Sequence, residues 1–263
     1  MLRQERERMG RRAGVIVGFV IAFMAAPGWA ASLQGPWNVT SPDGRNRIEV
    51  SLNEEGEASF RVRHRRRWVL EPSPLGLTRG DQSFVRGLSW VETGPVIHRQ
   101  ESYDLVSGNR SQVESLLAQR SLVFSNADGA RVVLDLAASD EGVAFRYRFP
   151  ETNTTVRVVQ SERTGFVFAS DARGWMQPYH VAGQYTPAYE DYYYAAAPTD
   201  LPSSVRAKPL GWAFPVLLHA PSARTWLLLT ESGTDGGYCG THLAPADGSG
   251  VLRIAFPADD EGT

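Results

Sequence analysis

Val143-Ala144-Phe145-Arg146-Tyr147-Arg148-Phe149 alternates without a break between bulky apolar residues and small or charged ones. Successive side chains of a strand point to opposite faces, so Val143, Phe145, Tyr147 and Phe149 line one face while Arg146 and Arg148 lie on the other. A segment built this way is a half-buried antiparallel strand. Working outward, shorter runs of the same kind occur at 47–52, 59–62, 116–124, 132–137, 156–159, 166–169, 216–219, 226–230 and 251–256. Turn chemistry separates them: Ser41-Pro42-Asp43-Gly44, Asn126-Ala127-Asp128-Gly129, Asp140-Glu141-Gly142 and Ser232-Gly233, in which Pro presets φ and Gly accepts positive φ. Only residues 111–118 read as briefly helical. More than ten short strands with almost no helix predict an all-β fold of two large antiparallel sheets packed face to face. No linker or internal repeat interrupts the chain after Trp37, which reads as one domain.

The first thirty residues stand apart. An Arg-rich stretch to Arg12, an apolar run over 13–26 and small residues around Gly28-Trp29-Ala30 have the three-part order of a secretory signal, with cleavage expected after Ala30. The apolar run is shorter than the roughly 20 residues that span a bilayer, and Pro27 ends it, so no stable membrane anchor is expected. The expected location is periplasmic or secreted. Of 27 Lys and Arg and 29 Asp and Glu, five Arg and two Glu fall in this leader, leaving 22 basic and 27 acidic groups. An acidic excess of five argues against a nucleic-acid partner. Cys239 is the only cysteine, so no internal disulfide can form.

Residues 175–202 differ from the rest. They string together Trp175, Tyr179, His180, Tyr185, Tyr189, Glu190, Asp191 and Tyr192-Tyr193-Tyr194, with Pro178 and Pro187 as expected breakers. The reading is a long aromatic and polar loop on a rigid β scaffold, where binding sites concentrate. Aromatic faces can stack on sugar C–H faces while carboxylates take hydroxyls, and the competing reading is a surface loop whose tyrosines pack on the sheet. His180 is the one histidine of five inside it, and no pair of histidines has zinc-ligand spacing. Glu231 and Asp235 follow the apolar run 226–230. Asp235 and Gly233 read as turn capping, and Glu231 stays open between turn capping and contributing to a sugar site or interface.

Seven pieces, in order, carry a resemblance. They are Ser41-Pro42-Asp43-Gly44, Pro72-Ser73-Pro74-Leu75-Gly76-Leu77, Asp140 to Tyr147 with Phe149-Pro150, Trp175-Met176-Gln177-Pro178, Tyr189-Glu190, Leu229-Thr230-Glu231-Ser232-Gly233, and Tyr238-Cys239-Gly240 with Leu243. Together they resemble the N-terminal domain of family 97 glycoside hydrolases, a group of α-glucosidases and α-galactosidases. The resemblance implies a β-super-sandwich like galactose mutarotase, packed against a catalytic (β/α)-barrel that residues 31–263 do not include. It also implies one carboxylate donated to a calcium ion beside the catalytic site. By its place in the Tyr-Glu pair that carboxylate is Glu190, with Asp191 as the fallback. Calcium takes six to eight oxygens, so the remaining ligands should come from the barrel. The expectation is therefore an exported domain that completes an α-linked oligosaccharide site and is inactive alone, with no catalytic residue of its own. Trp175, His180, Tyr185, Tyr189 and Glu231 are its candidate substrate contacts. A stand-alone carbohydrate-binding module and an interaction domain for a separate barrel are the alternatives. Gln119 stands where relatives often carry an acidic residue, a departure from the family pattern at that position.

Overall fold

The structure, a computed structural model, describes residues 34–180, 191–198, 200, 210–234 and 237–257. Its strands, in chain order, are β1 (Gln34–Thr40), β2 (Asn46–Leu52), β3 (Ala58–His64), β4 (Arg67–Pro74), β5 (Leu77–Arg79), β6 (Ser89–Thr93), β7 (Ile97–Asp104), β8 (Gln112–Ser125), β9 (Arg131–Ala138), β10 (Val143–Arg148), β11 (Val159–Glu162), β12 (Gly165–Phe166), β13 (Arg173–Tyr179), β14 (Tyr194–Ala196), β15 (Gly211–Ala220), β16 (Thr225–Leu229), β17 (His242–Leu243) and β18 (Leu252–Ala255). Every pairing is antiparallel. The two sheets expected appear as four hydrogen-bonded sheets. One runs β1-β2-β3-β4, another β10-β9-β8-β6 with β7 beside β8, and β11 pairs β5. The largest runs β12-β18-β17-β15-β13-β14 with β16 beside β15.

Their inner faces share one apolar core, and Phe60 shows how it is joined. From β3 its ring lies 4.9 Å from Phe145 on β10 and 6.0 Å from Phe166 on β12, so one side chain touches three sheets. Trp37 on β1 meets the edge of Phe124 on β8 at 5.6 Å. Burial of side chains such as Ile48, Leu122, Leu218 and Trp212 contributes about 1.5–3 kcal/mol each. The alternation of β10 is realised as read: Val143, Phe145 and Tyr147 turn inward and Arg146 and Arg148 outward. Outside, Arg148 and Arg146 flank Asp135 of β9 at 2.9 and 3.2 Å. Burial pushes the Asp135 carboxyl up, but Arg148, Ser121 and Arg146 outweigh it and hold the group down at about 2.

Two of the turns read from sequence dock on each other. The backbone N–H of Asp43 donates to Asp140, and Asn46 Nδ2 donates to the carbonyls of Ser139 and Asp140, satisfying a buried amide across more than ninety residues of chain. Three expectations are corrected. Residues 111–118 are not helical: β8 covers them, because pairing with β7 residue for residue overrides a weak local preference. Residues 156–158 are not strand, since β11 begins at Val159 while Val156 and Val158 remain exposed. Residues 175–179, the start of the expected loop, are strand instead: they belong to β13, an inner strand paired with both β14 and β15. Pro178 did not break it because the carbonyl of Tyr179 faces β15, where it accepts from Leu210 N–H. Alternation then turns the Pro178 nitrogen to the other edge, past the end of β14, where no N–H is needed.

Candidate functional site

One rim of the seven-stranded sheet gathers most of the chemistry. The end of β13 pairs with the start of β15 through Tyr179 and Gly211, Trp212 pairs with Leu243 of β17, and His242 pairs with Ala255 at the end of β18. Ile254 N–H donates to the Thr164 carbonyl, so the turn between β11 and β12 joins the same rim. The rings of Tyr179 and His242 lie parallel, 3.9 Å apart and 2° from coplanar orientation, closing the rim above the core.

Next to Tyr179, His180 Nε2 bonds a carboxylate oxygen of Asp191 at 2.7 Å. The other oxygen accepts from Tyr192 N–H and the Tyr194 hydroxyl, while Gln177 Nε2 donates to the Asp191 carbonyl. Burial raises the Asp191 carboxyl, but His180 and the two tyrosine donors prevail and hold it below its ordinary value. The His180–Asp191 contact brings together the two residues that flank 181–190. Tyr185, Tyr189 and Glu190 of the sequence reading, like Asp235, lie outside the described residues.

Glu231 lies along the same rim. Its carboxylate accepts from both the backbone N–H and the hydroxyl of Thr241, the neighbour of His242, so it anchors the return of the chain into β17. A second carboxylate, Glu162, accepts from the Tyr238 hydroxyl at 2.8 Å. Behind it the buried Tyr147 hydroxyl pairs with Thr164 and accepts from Gly76 N–H. Burial first, then the nearby charge of Glu231, pushes the Glu162 carboxyl up. Burial and the same two glutamates raise the Cys239 thiol, which keeps it protonated and a poor nucleophile.

Trp175 is not part of this rim. It sits five residues before His180 on β13, about 16 Å along an extended strand, on the outward face. There its ring packs on Trp226 of β16 at 5.2 Å, and Trp226 in turn stacks on His219 at 4.6 Å. The structure therefore brings His180 and Glu231 to one rim and leaves Trp175 elsewhere. Sequence reading missed Glu162, Tyr238, His242 and Trp226 as neighbours. The only signal was that Glu231 and Tyr238 both fall within the pieces that carry the family resemblance.

Glu162 makes a testable contribution. Its folded pKa lies above the unfolded value, so its favourable share of stability is full below the unfolded pKa and fades as pH rises through the folded one. Glu162→Gln keeps an acceptor for Tyr238 and removes the buried charge. Its melting temperature should exceed that of the parent at pH 8 by on the order of 2 °C, with the gap closing toward pH 4. A variant that melts lower at pH 8 would show the ionised carboxylate to be stabilising.

Among the described residues no cluster of three or more His, Cys, Asp or Glu could hold a metal ion. Asp191 already spends both oxygens on three donors. The described side chains do not by themselves form a calcium cage.

Comparison with known proteins places these features. The family model described as glycosyl-hydrolase 97 N-terminal matches residues 39–258. A probable retaining alpha-galactosidase of Streptomyces bingchenggensis (strain BCW-1) is 28% identical over 239 residues, covering 89% of this chain and 34% of its own. The crystal structure of a beta-arabinopyranosidase superposes with a TM-score of 0.77 at 26% identity, over 86% of this chain and 37% of that one. A family 97 enzyme from Pseudoalteromonas sp. strain K8, solved in complex with acarbose, shares the fold with a TM-score of 0.67 at 18% identity, over 84% and 32% of the two chains. The chain thus spans about a third of the length of the relatives it matches.

Proposed function

The chain belongs to the glycosyl-hydrolase 97 N-terminal family, and from that premise we propose that it is the site-completing domain of an exported, calcium-dependent α-glycoside hydrolase, inactive without a catalytic domain. The observation that carries this reading is the His180–Asp191 hydrogen bond. It holds His180 and Asp191 together at the rim where Glu231 and Glu162 also lie, and Glu190 is the sequence neighbour of Asp191. A rim of this kind offers carboxylates and aromatic rings to a sugar or to a neighbouring domain.

The chemistry of the donor set limits what this chain can supply. One carboxylate, Glu190, would serve as a calcium ligand, and the remaining oxygens would come from the catalytic domain. When bound, the ion would supply charge stabilisation beside the scissile bond. On this chain the work of Asp191 is to orient His180, since its oxygens are already committed.

The test is hydrolysis of p-nitrophenyl α-glucoside and α-galactoside by the purified chain, with and without calcium, alongside calorimetry against maltose, melibiose and calcium. The expected result is no turnover by the chain alone and no tight calcium binding. Unaided turnover would overturn the reading. Saturable sugar binding by the isolated chain would favour a stand-alone carbohydrate-binding module instead. In an assembled enzyme, Glu190→Gln should weaken calcium binding and lower turnover while leaving the melting temperature of this domain nearly unchanged.

A further inference from the structure

The β7–β8 hairpin reaches past the sheet it belongs to. β8 pairs with β9 only over 118–125, whereas its first part, 112–117, pairs with β7 alone. A two-stranded ribbon is marginally stable by itself, and among the described residues no strand pairs with the outer edge of β7. Every residue of β7 except Glu101 is exposed, including Ile97 and Tyr103.

Backbone geometry determines what that edge presents. Leu105 N–H donates to the Ser111 carbonyl, and the register runs unbroken from there, with Asp104 opposite Gln112 and so on to Ile97 opposite Gln119. Hydrogen-bonded and non-hydrogen-bonded pairs alternate along an antiparallel ladder. The odd-numbered residues of β7 therefore bond to β8, and His98, Gln100, Ser102 and Asp104 turn their N–H and C=O groups to the open edge. Side chains alternate with the same period, so Ile97, Arg99, Glu101 and Tyr103 share one face.

We propose that two copies of this chain pair through β7, antiparallel about a two-fold axis at Gln100. Opposed residues of an antiparallel pair turn their backbone groups the same way, so a symmetric pair centres on a residue and never between two. Centring on Arg99 would oppose two arginines, and centring on Glu101 two glutamates, both unfavourable. Centring on His98 or Ser102 shortens the overlap. With the axis at Gln100 the outer positions match: Arg99 meets Glu101 of the second copy on both sides of the axis, Ile97 meets Tyr103, and His98 meets Ser102. Gln100 faces its own counterpart, and the two exchange backbone hydrogen bonds. The ionic and apolar pairs fall at non-hydrogen-bonded positions, where opposing side chains come closest. Within one copy Arg99 already bonds Glu101 at 3.2 Å, so both charges lie on the face the pairing uses.

Other sheet ends lack this self-complementarity. Centred on Tyr147, β10 would set Arg146 against Arg148, and β16 has no charged residue to fix a register. Charge on an edge strand ordinarily repels another strand. Opposite charges equally spaced about one residue do the reverse. Joining two ribbons also yields a four-stranded layer, which meets the requirement of three or more strands that a single ribbon fails. The pairing is independent of the function proposed above.

The test is sedimentation of the purified chain over a concentration series. One strand from each copy makes a small interface, so the expected dimer has roughly micromolar affinity. Gln100→Pro removes an N–H that faces the open edge and none that β8 uses. That variant should melt within a few degrees of the parent and sediment as a monomer. Arg99→Glu and Glu101→Arg each set like charges against each other twice, by symmetry, and should weaken the dimer at least about tenfold. Mixing these two variants should restore it, because a strand carrying two acids then meets one carrying two arginines. A chain that stays monomeric at about 200 μM would overturn the proposal. So would a dimer that tolerates Gln100→Pro, which would place the contact on another surface, or charge variants that fail to associate when mixed.

Discussion

Gly211→Ala is expected to leave little or no folded protein in the soluble fraction. Gly211 opens β15 with φ at +134°, a conformation that costs any residue with a side chain about 1–3 kcal/mol. The larger obstacle is space, because a Cβ at this position would lie 1.7 Å from the carbonyl oxygen of Leu243. That atom is backbone, held by the pairing of β17 with β15 and β18, so it cannot swing aside as a side-chain tip would. Relief requires β15 and β17 to separate where Trp212 and Leu243, both 0% exposed, face each other. The combined loss should exceed about 4 kcal/mol, a large part of the 5–15 kcal/mol that ordinarily separates folded from unfolded chains. Gly44→Ala is the comparison: φ is again positive, at +75°, but the added carbon meets nothing within 4 Å. That variant should fold and lose only about 1–2 kcal/mol. Soluble expression followed by thermal melting reads both. A Gly211→Ala protein melting close to the parent would mean that β15 and β17 do not approach as described. The consequence reaches function, because the same approach sets the Tyr179–His242 stack and the His180 rim.

Arg79→Ala should cost up to about 3 kcal/mol at pH 7. Arg79 is 2% exposed on β5, yet its charge is fully answered: Nε and Nη2 donate to Asp81, each at 2.8 Å, and Nη1 to Glu151 at 2.9 Å. Its guanidinium lies 4.5 Å from the centre of the Phe149 ring, which adds cation–π attraction. Truncation leaves a cavity under Phe149 and two carboxylates with only Arg157, at 3.7 Å from each, for compensation. Removing one partner of a fully buried ion pair typically costs about 3–5 kcal/mol. Here the Asp81 side chain is 51% exposed and that of Glu151 26%, so the carboxylates left behind are largely hydrated and the low end is the ceiling. Much of the loss comes from the cavity left by the buried Arg79 side chain. Arg79→Lys should fall between parent and Ala, since an ammonium restores charge but not the fork that reaches both acids. The pH dependence has a definite sign. The carboxyls of both Asp81 and Glu151 are held below their ordinary values: hydrogen bonding from Arg79 leads for the first, and for the second the backbone and Arg79 outweigh burial. Groups lowered on folding add stability above the unfolded pKa and lose it as pH falls through the folded one. The gap between parent and Arg79→Ala should therefore narrow below about pH 4. Urea titrations at pH 7 and pH 3.5 would measure it, and a loss under 1 kcal/mol at pH 7 would show that the network contributes no more than surface pairs do.

The two substitutions differ in what the sequence reveals about them. The Pro72 to Leu77 piece marked the neighbourhood of Arg79, but nothing nearby announces that Glu151, seventy-two residues on, completes its fork. Gly211 carried no signal at all, because its constraint comes from a carbonyl thirty-two residues later. For the candidate site, His180 and Glu231 were legible as residue types in unusual surroundings. Trp175 is legible as an aromatic, but its strand is not, because the sequence shows Pro178 as a breaker and does not show which strand edge its nitrogen faces. The partners Trp226, His242, Glu162 and Tyr238 were not legible, since each belongs to a separate strand or turn with an ordinary local pattern.

By itself the sequence determined the all-β class, the inward and outward faces of β10, the turns at 41–44 and 126–129, and the family. These follow from periods of two and from turn residues whose φ preferences act within a few positions, so local order suffices. Only the tertiary structure decided that His180 meets Asp191, that Glu231 anchors Thr241, and that Trp175 faces outward beside Trp226. Those contacts depend on strand register, and register is set by how the whole buried core packs, which no short window of residues contains.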